Sequence, residues 1–283
     1  MANPMPIGWS RRRWLAAAAG LSFAARPALG EGVLRFATTP VFLDDEARSL
    51  ARWQRYLEAR LGQPVAFVQR ANYREITDLL LANAVDCAWI CGFPYVRQRA
   101  ALQLVAVPLY RRAPLYHSYI IVPRDDAASR SLTDLGGRVF AYSDPDSNSG
   151  WLAPNVALRD RGFDPTRFFR RSFFTWGHRK VIQAVAVGLA QGGAVDGYVW
   201  DTLARKHAEL TGATRIVERF GPFGFPPVVA RRDHPAAAAV RRVLTAMAGD
   251  AEGRTLLDAL NLDGFVAGDT HLYDGIEANW RRL

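Results

Sequence analysis

The sequence predicts an α/β protein of two lobes, each a mainly parallel sheet flanked by helices, with two hinge crossings between them. Three observations lead there. Apolar, β-branched runs alternate with amphipathic helical patterns from residue 33 onward, the signature of βαβ units. The alternation breaks twice, at the polar stretch 124–130 and at Gly221-Pro222-Phe223-Gly224-Phe225-Pro226-Pro227, and restarts after each break. The chain's 283 residues are enough for two lobes that each bury a core. Two crossings between α/β lobes imply a hinged molecule that takes a ligand between its halves.

In chain order, residues 33–37 read as a strand, 44–61 as an amphipathic helix opened by Asp44-Asp45, 65–69 as a strand, 73–82 as a helix and 85–91 as a strand. Apolar segments follow at 104–109 and 116–123. The second set comprises a strand at 138–142, a loop at 143–150, a helix at 151–161, a strand at 170–174, a helix at 179–191, a strand at 195–199 and a helix at 201–211. A strand at 228–230 precedes helices from 236 to the C-terminus. The expected organisation is therefore 1–30 as an export signal, 31–120 as the first part of lobe 1, 121–220 as lobe 2 and 221–283 as the return to lobe 1.

Residues 1–30 carry Ser10-Arg11-Arg12-Arg13-Trp14-Leu15, an apolar run from 15 to 25 and Ala28-Leu29-Gly30, the order of a cleavable export signal, with a twin-arginine-like pair. The apolar run is well short of the roughly 20 residues that span a bilayer. The expected location is the periplasm after cleavage, the alternative being an uncut anchor. The charge of the chain changes meaning here. Of a formal net charge of +9, four units are arginines of this acid-free segment, leaving +5 beyond it. Lysine occurs only at Lys180 and Lys206 and no run of five basic residues exists, so a nucleic-acid-binding arm is excluded. What remains is a modest bias that draws small anions.

The two cysteines, Cys87 and Cys91, sit four apart in a strand-like segment. In a strand their Cα atoms would lie about 13 Å apart, beyond the roughly 7 Å reach of a disulfide, so both are expected to be free thiols. The histidines His117, His178, His207, His234 and His271 show no metal-binding spacing, and no metal or cofactor is expected. G-x-x-x-x-G-K-[ST], G-x-G-x-x-G and G-x-S-x-G are all absent, which argues against nucleotide and esterase chemistry.

Three segments point to chemistry. In Tyr142-Ser143-Asp144-Pro145-Asp146-Ser147-Asn148-Ser149-Gly150-Trp151 a strand ends, small hydroxyl and amide residues follow and a helix begins, so hydroxyls and free backbone N–H groups gather where a helix favours negative charge. Simple N-capping by Ser147 or Ser149 is the alternative. Thr175-Trp176-Gly177-His178 places His178 at a helix start after a strand, as an anion donor or a merely solvated imidazole. In Gly193-Ala194-Val195-Asp196-Gly197, Asp196 interrupts an apolar strand, where an acid needs a partner.

Together with Val85-Asp86-Cys87-Ala88-Trp89, Pro94-Tyr95-Val96, Tyr116-His117-Ser118-Tyr119 and Thr133-Asp134-Leu135-Gly136-Gly137-Arg138, these patches resemble the PhnD-like periplasmic phosphate- and phosphonate-binding proteins, solute receptors of ABC importers with the type II periplasmic-binding fold. The resemblance implies that Ser147, Asn148 and Ser149 hold the oxyanion, that His178 donates to it, that Tyr95 reaches from the facing lobe and Ser118 lines the site, and that Asp196 meets an amino group or an acidic hydroxyl. It also implies a small oxyanion ligand, a membrane permease as partner, a monomer and no catalysis. Two departures stand out: Asn148 replaces the usual hydroxyl residue, and Cys91-Gly92-Phe93 precedes Pro94-Tyr95. A cleft thiol at Cys91 would suit arsenite, so the alternative output is a sensor kinase or chemoreceptor for a thiol-reactive metalloid. A cofactor-synthesising enzyme on the same scaffold fits poorly with an export signal.

Overall fold

The computed structural model describes residues 32–39 and 47–283. The expected export signal, and Asp44-Asp45 at the head of the first helix, lie outside the described residues. Lobe 1 opens with β1 (Leu34–Thr38), α1 (Ala47–Leu61), β2 (Val65–Gln69), α2 (Tyr73–Leu81), β3 (Cys87–Trp89), α3 (Gly92–Arg97) and β4 (Leu102–Leu109). The second lobe contains β5 (Leu115–Pro123), β6 (Val139–Tyr142), α4 (Ala153–Asp160), α5 (Pro165–Phe168), β7 (Arg171–Phe174), α6 (His178–Ala186), β8 (Gly192–Asp196), α7 (Gly197–Lys206), α8 (Ala208–Gly212) and β9 (Thr214–Gly224). The chain then returns through β10 (Val228–Arg231), α9 (Ala236–Ala246), α10 (Ala251–Ala259), β11 (Gly264–Val266) and α11 (Asp274–Arg282).

Both sheets are mixed rather than mainly parallel in their pairing. The first has the order β11-β4-β10-β3-β1-β2 and the second β7-β6-β8-β5-β9. In each, the βαβ strands pair in parallel: β1 with β2 and β3, β6 with β7 and β8. The strand arriving from the other lobe inserts antiparallel, β10 between β3 and β4, β5 between β8 and β9. The reason is geometric. A crossing strand enters at the edge where the βαβ strands end, so it must run the opposite way. Sheet membership changes between Leu109 and Leu115 and between Gly224 and Val228, so the 120/121 division expected from the sequence falls inside β5. The two crossings touch, since Phe225 N–H donates to Pro114 O at 2.9 Å.

Local chemistry sets the helix positions. Asn72 caps α2 by accepting from Glu75 N at 2.9 Å while its amide donates to Glu75 Oε1 at 2.6 Å, and Tyr73, Ile76, Thr77 and Leu80 recur at helical spacing on the buried face. His178, Val181, Ile182 and Val185 repeat that spacing in α6. In lobe 2, successive strand residues go to opposite faces: Ile121 and Val195 pack with Val181 and Val185, while Ile120 and Ala194 pack with Phe140 and Leu158.

Several elements depart from the sequence reading. The strand expected at 195–199 ends at Asp196, because that carboxylate accepts from Tyr198 N at 2.9 Å and Val199 N at 3.3 Å and starts α7. Gly197 permits the sharp change of direction: a Cβ there would lie 2.7 Å from the Tyr119 ring and 2.9 Å from His117 O. The strand expected at 85–91 is only Cys87–Trp89, and Cys91 instead precedes α3. Strands β9 and β11 were not expected. Residues in β9 are mostly half-buried and mixed in polarity, which hides the alternation of a two-faced strand.

Candidate functional site

The site is built on the segment after β6. Ser147 Oγ accepts from Gly150 N at 3.0 Å, and Leu152 N reaches back five residues to Ser147 O at 3.0 Å, so residues 148–152 form one wide π-helical turn before α4. Such turns are uncommon and often sit at functional sites. Gly150 is obligatory here: a Cβ would fall 1.8 Å from Ser143 Oγ and 3.1 Å from His178 Cε1. Backbone, hydroxyl and imidazole therefore meet at one point.

The expected lobe 2 residues do come together. Ser118 on β5 pairs in register with Asp196 on β8, and its hydroxyl donates to Ser149 O at 2.7 Å, fixing the turn. His178 Nδ1 accepts from Asp196 N at 3.0 Å, which leaves the proton on Nε2. Burial lowers the imidazole to about 3, so His178 is a neutral donor rather than a cation. Asp196 is pushed up to about 7, by burial first, against the opposing Val199 and Tyr198 amides and with the Asp201 charge adding to the rise. Near neutral pH both its protonated and ionised forms are populated.

Several buried polar atoms have no hydrogen-bond partner among the described residues: Ser143 Oγ, Asn148 Oδ1, Ser149 Oγ, Tyr73 OH and Thr38 Oγ1. Leaving such groups unmade is expensive, about 1–3 kcal/mol each, and native interiors contain few. Tyr73 belongs to this group electrically as well as by burial. Burial raises its hydroxyl well above the ordinary value, with the neighbouring acids Asp144 and Asp196 adding to the rise.

The two lobes close over the turn. Tyr73 N, at the head of α2, donates to Asp144 Oδ2 at 3.1 Å, and Asn148 N donates to Cys91 Sγ at 3.3 Å. Asn148 Nδ2 donates to Tyr116 OH at 2.9 Å. Asp146 receives Arg74 at 3.1 Å and Arg97 at 2.6 Å from lobe 1. No basic side chain hydrogen-bonds to Ser147, Asn148, Ser149 or His178 among the described residues.

Cys87 and Cys91 are free and buried. Burial pushes the Cys91 thiol up to about 12 even with its sulfur accepting from Asn148 N. Tyr95 stands apart from the cradle. Its ring packs edge-on against Tyr273 with centroids 4.8 Å apart, and its hydroxyl feels Arg99 and Arg232, on a different cavity. Tyr73, Tyr116 and Ser143, not picked out from the sequence as site residues, are placed here instead. For Tyr73 the available signal was its position, directly after the Asn72 cap that follows a parallel strand, at the sheet edge where α/β clefts form. No group of three or more His, Cys, Asp or Glu among the described residues is arranged to hold a metal ion, and no helix among them is long and apolar enough to cross a membrane.

Residues 36–273 match the family described as ABC transporter, phosphonate, periplasmic substrate-binding protein. The phosphate-import protein PhnD of Mycolicibacterium smegmatis is 27% identical over 161 residues, 53% of this chain and 49% of that one, so the match spans about half the length of that relative. PhnD1 from Prochlorococcus marinus, solved in complex with methylphosphonate, superposes with a TM-score of 0.81 at 19% identity, covering 90% of this chain and 99% of that one. The binding-protein component of a phosphonate ABC transporter from Pseudomonas aeruginosa gives 0.81 at 20% identity, covering 89% and 88%. These solved structures share the two-lobed type II fold. With the greater part of its length matched, the chain belongs to the phosphonate periplasmic substrate-binding protein family of ABC transporters.

Proposed function

We propose that the protein captures one small tetrahedral oxyanion of the phosphate, phosphonate or phosphite type between its lobes and delivers it, as a monomer and without chemistry, to a membrane permease. The observation that carries this is the set of buried, unpartnered polar atoms around the Ser147–Gly150 turn, beside a neutral His178 whose Nε2 proton is free to donate. Donors already fixed by folding hold a dehydrated anion without further ordering. One acceptor among them matters for selectivity. Asn148 Oδ1 has nothing to accept, so the preferred ligand still carries a proton, as hydrogen phosphate and a phosphonate monoanion do and sulfate does not.

Calorimetry with phosphate, phosphite, methylphosphonate, sulfate and arsenite tests this. Heat with the phosphorus oxyanions and binding of sulfate weaker by about tenfold or more is expected. No heat with any phosphorus oxyanion would sink the reading. The arsenite alternative is disfavoured by Cys91 itself, a single buried thiol whose sulfur already accepts an amide and whose thiolate is suppressed.

A further inference from the structure

Outside the cradle, lobe 1 contains a cavity of about 360 Å³ whose walls include Tyr95, Arg99, Arg232, Arg241, Gln103 and Thr270. Three guanidinium groups line it, and no carboxylate among the described residues does. Each is held in place by backbone. Arg241 donates from Nε to Val105 O at 3.0 Å and from Nη2 to Leu104 O at 2.6 Å. Arg232 donates from Nε to Ala100 O at 2.8 Å and from Nη2 to Arg99 O at 3.1 Å. Arg99 donates to Thr270 O at 2.8 Å and is the one member with acidic partners, Glu277 at 2.8 Å and Asp274 at 3.4 Å.

Arg232 and Arg241 meet no carboxylate among the described residues. A guanidinium has five N–H donors, and each of these two commits two of them to carbonyls, so donors remain while the side chain is already immobilised. The entropy of ordering a long arginine is thus lost on folding rather than on binding. Tyr95 adds a hydroxyl beside Arg99 and Arg232; burial holds it above its ordinary value, and the two guanidiniums oppose that rise. Its placement here explains why it does not join the cradle.

We propose that this cavity is a second anion site, for a small phosphate-class polyanion with more than one tetrahedral group, held by Arg99, Arg232 and Arg241 with Tyr95. Guanidinium forks match phosphate oxygens two at a time, and two uncompensated positive charges call for more than one negative charge. The volume, at the lower end of ligand cavities of about 300–1,000 Å³, suits an ion of diphosphate size. The site does not depend on the oxyanion reading of the cradle.

Inorganic pyrophosphate is the probe, titrated calorimetrically into the full chain and into Arg232→Gln and the double variant Arg232→Gln/Arg241→Gln. Arg232 is exposed, so its single substitution leaves the fold intact even if loss of Arg241 from the β4 carbonyls does not. The expected result is pyrophosphate binding that Arg232→Gln weakens by roughly tenfold, with the melting temperature of that variant and its response to phosphate unchanged. Absence of pyrophosphate binding to the unsubstituted chain, or binding that Arg232→Gln leaves unaltered, overturns the proposal.

Discussion

As proposed anion sites, the cradle and the arginine cavity would solve the same electrostatic problem in opposite ways. The cradle uses hydroxyls, a neutral imidazole and a helix start, all buried, and keeps its arginines one step back on Asp146. The arginine cavity uses full charges fixed by carbonyls near the surface. Neutral donors in a dry site discriminate by geometry and proton count, because each unmade hydrogen bond is felt in full. Exposed charges attract at longer range, discriminate weakly and are screened by salt over about 10 Å at 0.1 M. Raising salt from low to physiological ionic strength should therefore leave the cradle's affinity nearly constant and weaken the arginine cavity.

The sharpest separation of the two sites comes from Gly150→Ala. Its methyl group collides with Ser143 Oγ and His178 Cε1. Phosphate binding should be lost in calorimetry and stability should fall by about 1–3 kcal/mol, while pyrophosphate binding persists. His178→Ala comes next, with affinity down by roughly tenfold or more and Asp196 N left without an acceptor, which costs about 1–3 kcal/mol. The wild-type histidine also sets an acid limit. Its folded value near 3 lies below the ordinary 6.5, so its contribution to stability is lost as pH falls from about 6.5 towards 3, and a pH series of melting curves should show that slope vanish in the variant.

Asp196 works in the other direction. Raised from 3.8 to about 7, it favours the folded state at low pH and loses that contribution as pH rises through about 4 to 7. Asp196→Asn retains a good N-cap and should flatten this part of the curve, melting higher than wild type at pH 8. Phosphate affinity measured across the same range should lose its pH dependence around 7. The smallest effect is expected for Asp146→Asn, which cuts two ion pairs between the lobes whose Arg74 partner is 62% exposed in its side chain. The Asp146 carboxylate itself is only 8% exposed, but both arginines reach solvent and keep access to water when it is neutralised, so phosphate affinity should drop only severalfold. A full loss would mean that Asp146 shapes the cradle directly.

Much of the fold was legible because hydrophobic period and breaks are local properties. The strands at 65–69 and 138–142 and the helix at 73–82 could be read from apolar spacing and from Asn72. Strand β9 could not, since its half-buried face is defined by β5, nearly a hundred residues earlier. The cradle's lobe 2 side was legible for the same reason: Ser147, Asn148 and Ser149 are adjacent, and His178 and Asp196 both stand where a strand gives way to a helix. Its lobe 1 side was not. Whether Tyr73 or Tyr95 faces the turn depends on how α2 and α3 rotate against their sheet, which their own sequences do not contain. Asp196 was read as a ligand-facing acid within a strand, and the structure gives it helix capping as well, because the strand stops sooner than its apolar run.

The bond between Phe225 and Pro114 has a further consequence. Because it ties one crossing to the other, bending at either crossing acts on both, which favours opening of the lobes about a shared hinge. Under the proposed function, the opening angle would be the variable by which a permease learns whether the cradle is filled without touching the ligand.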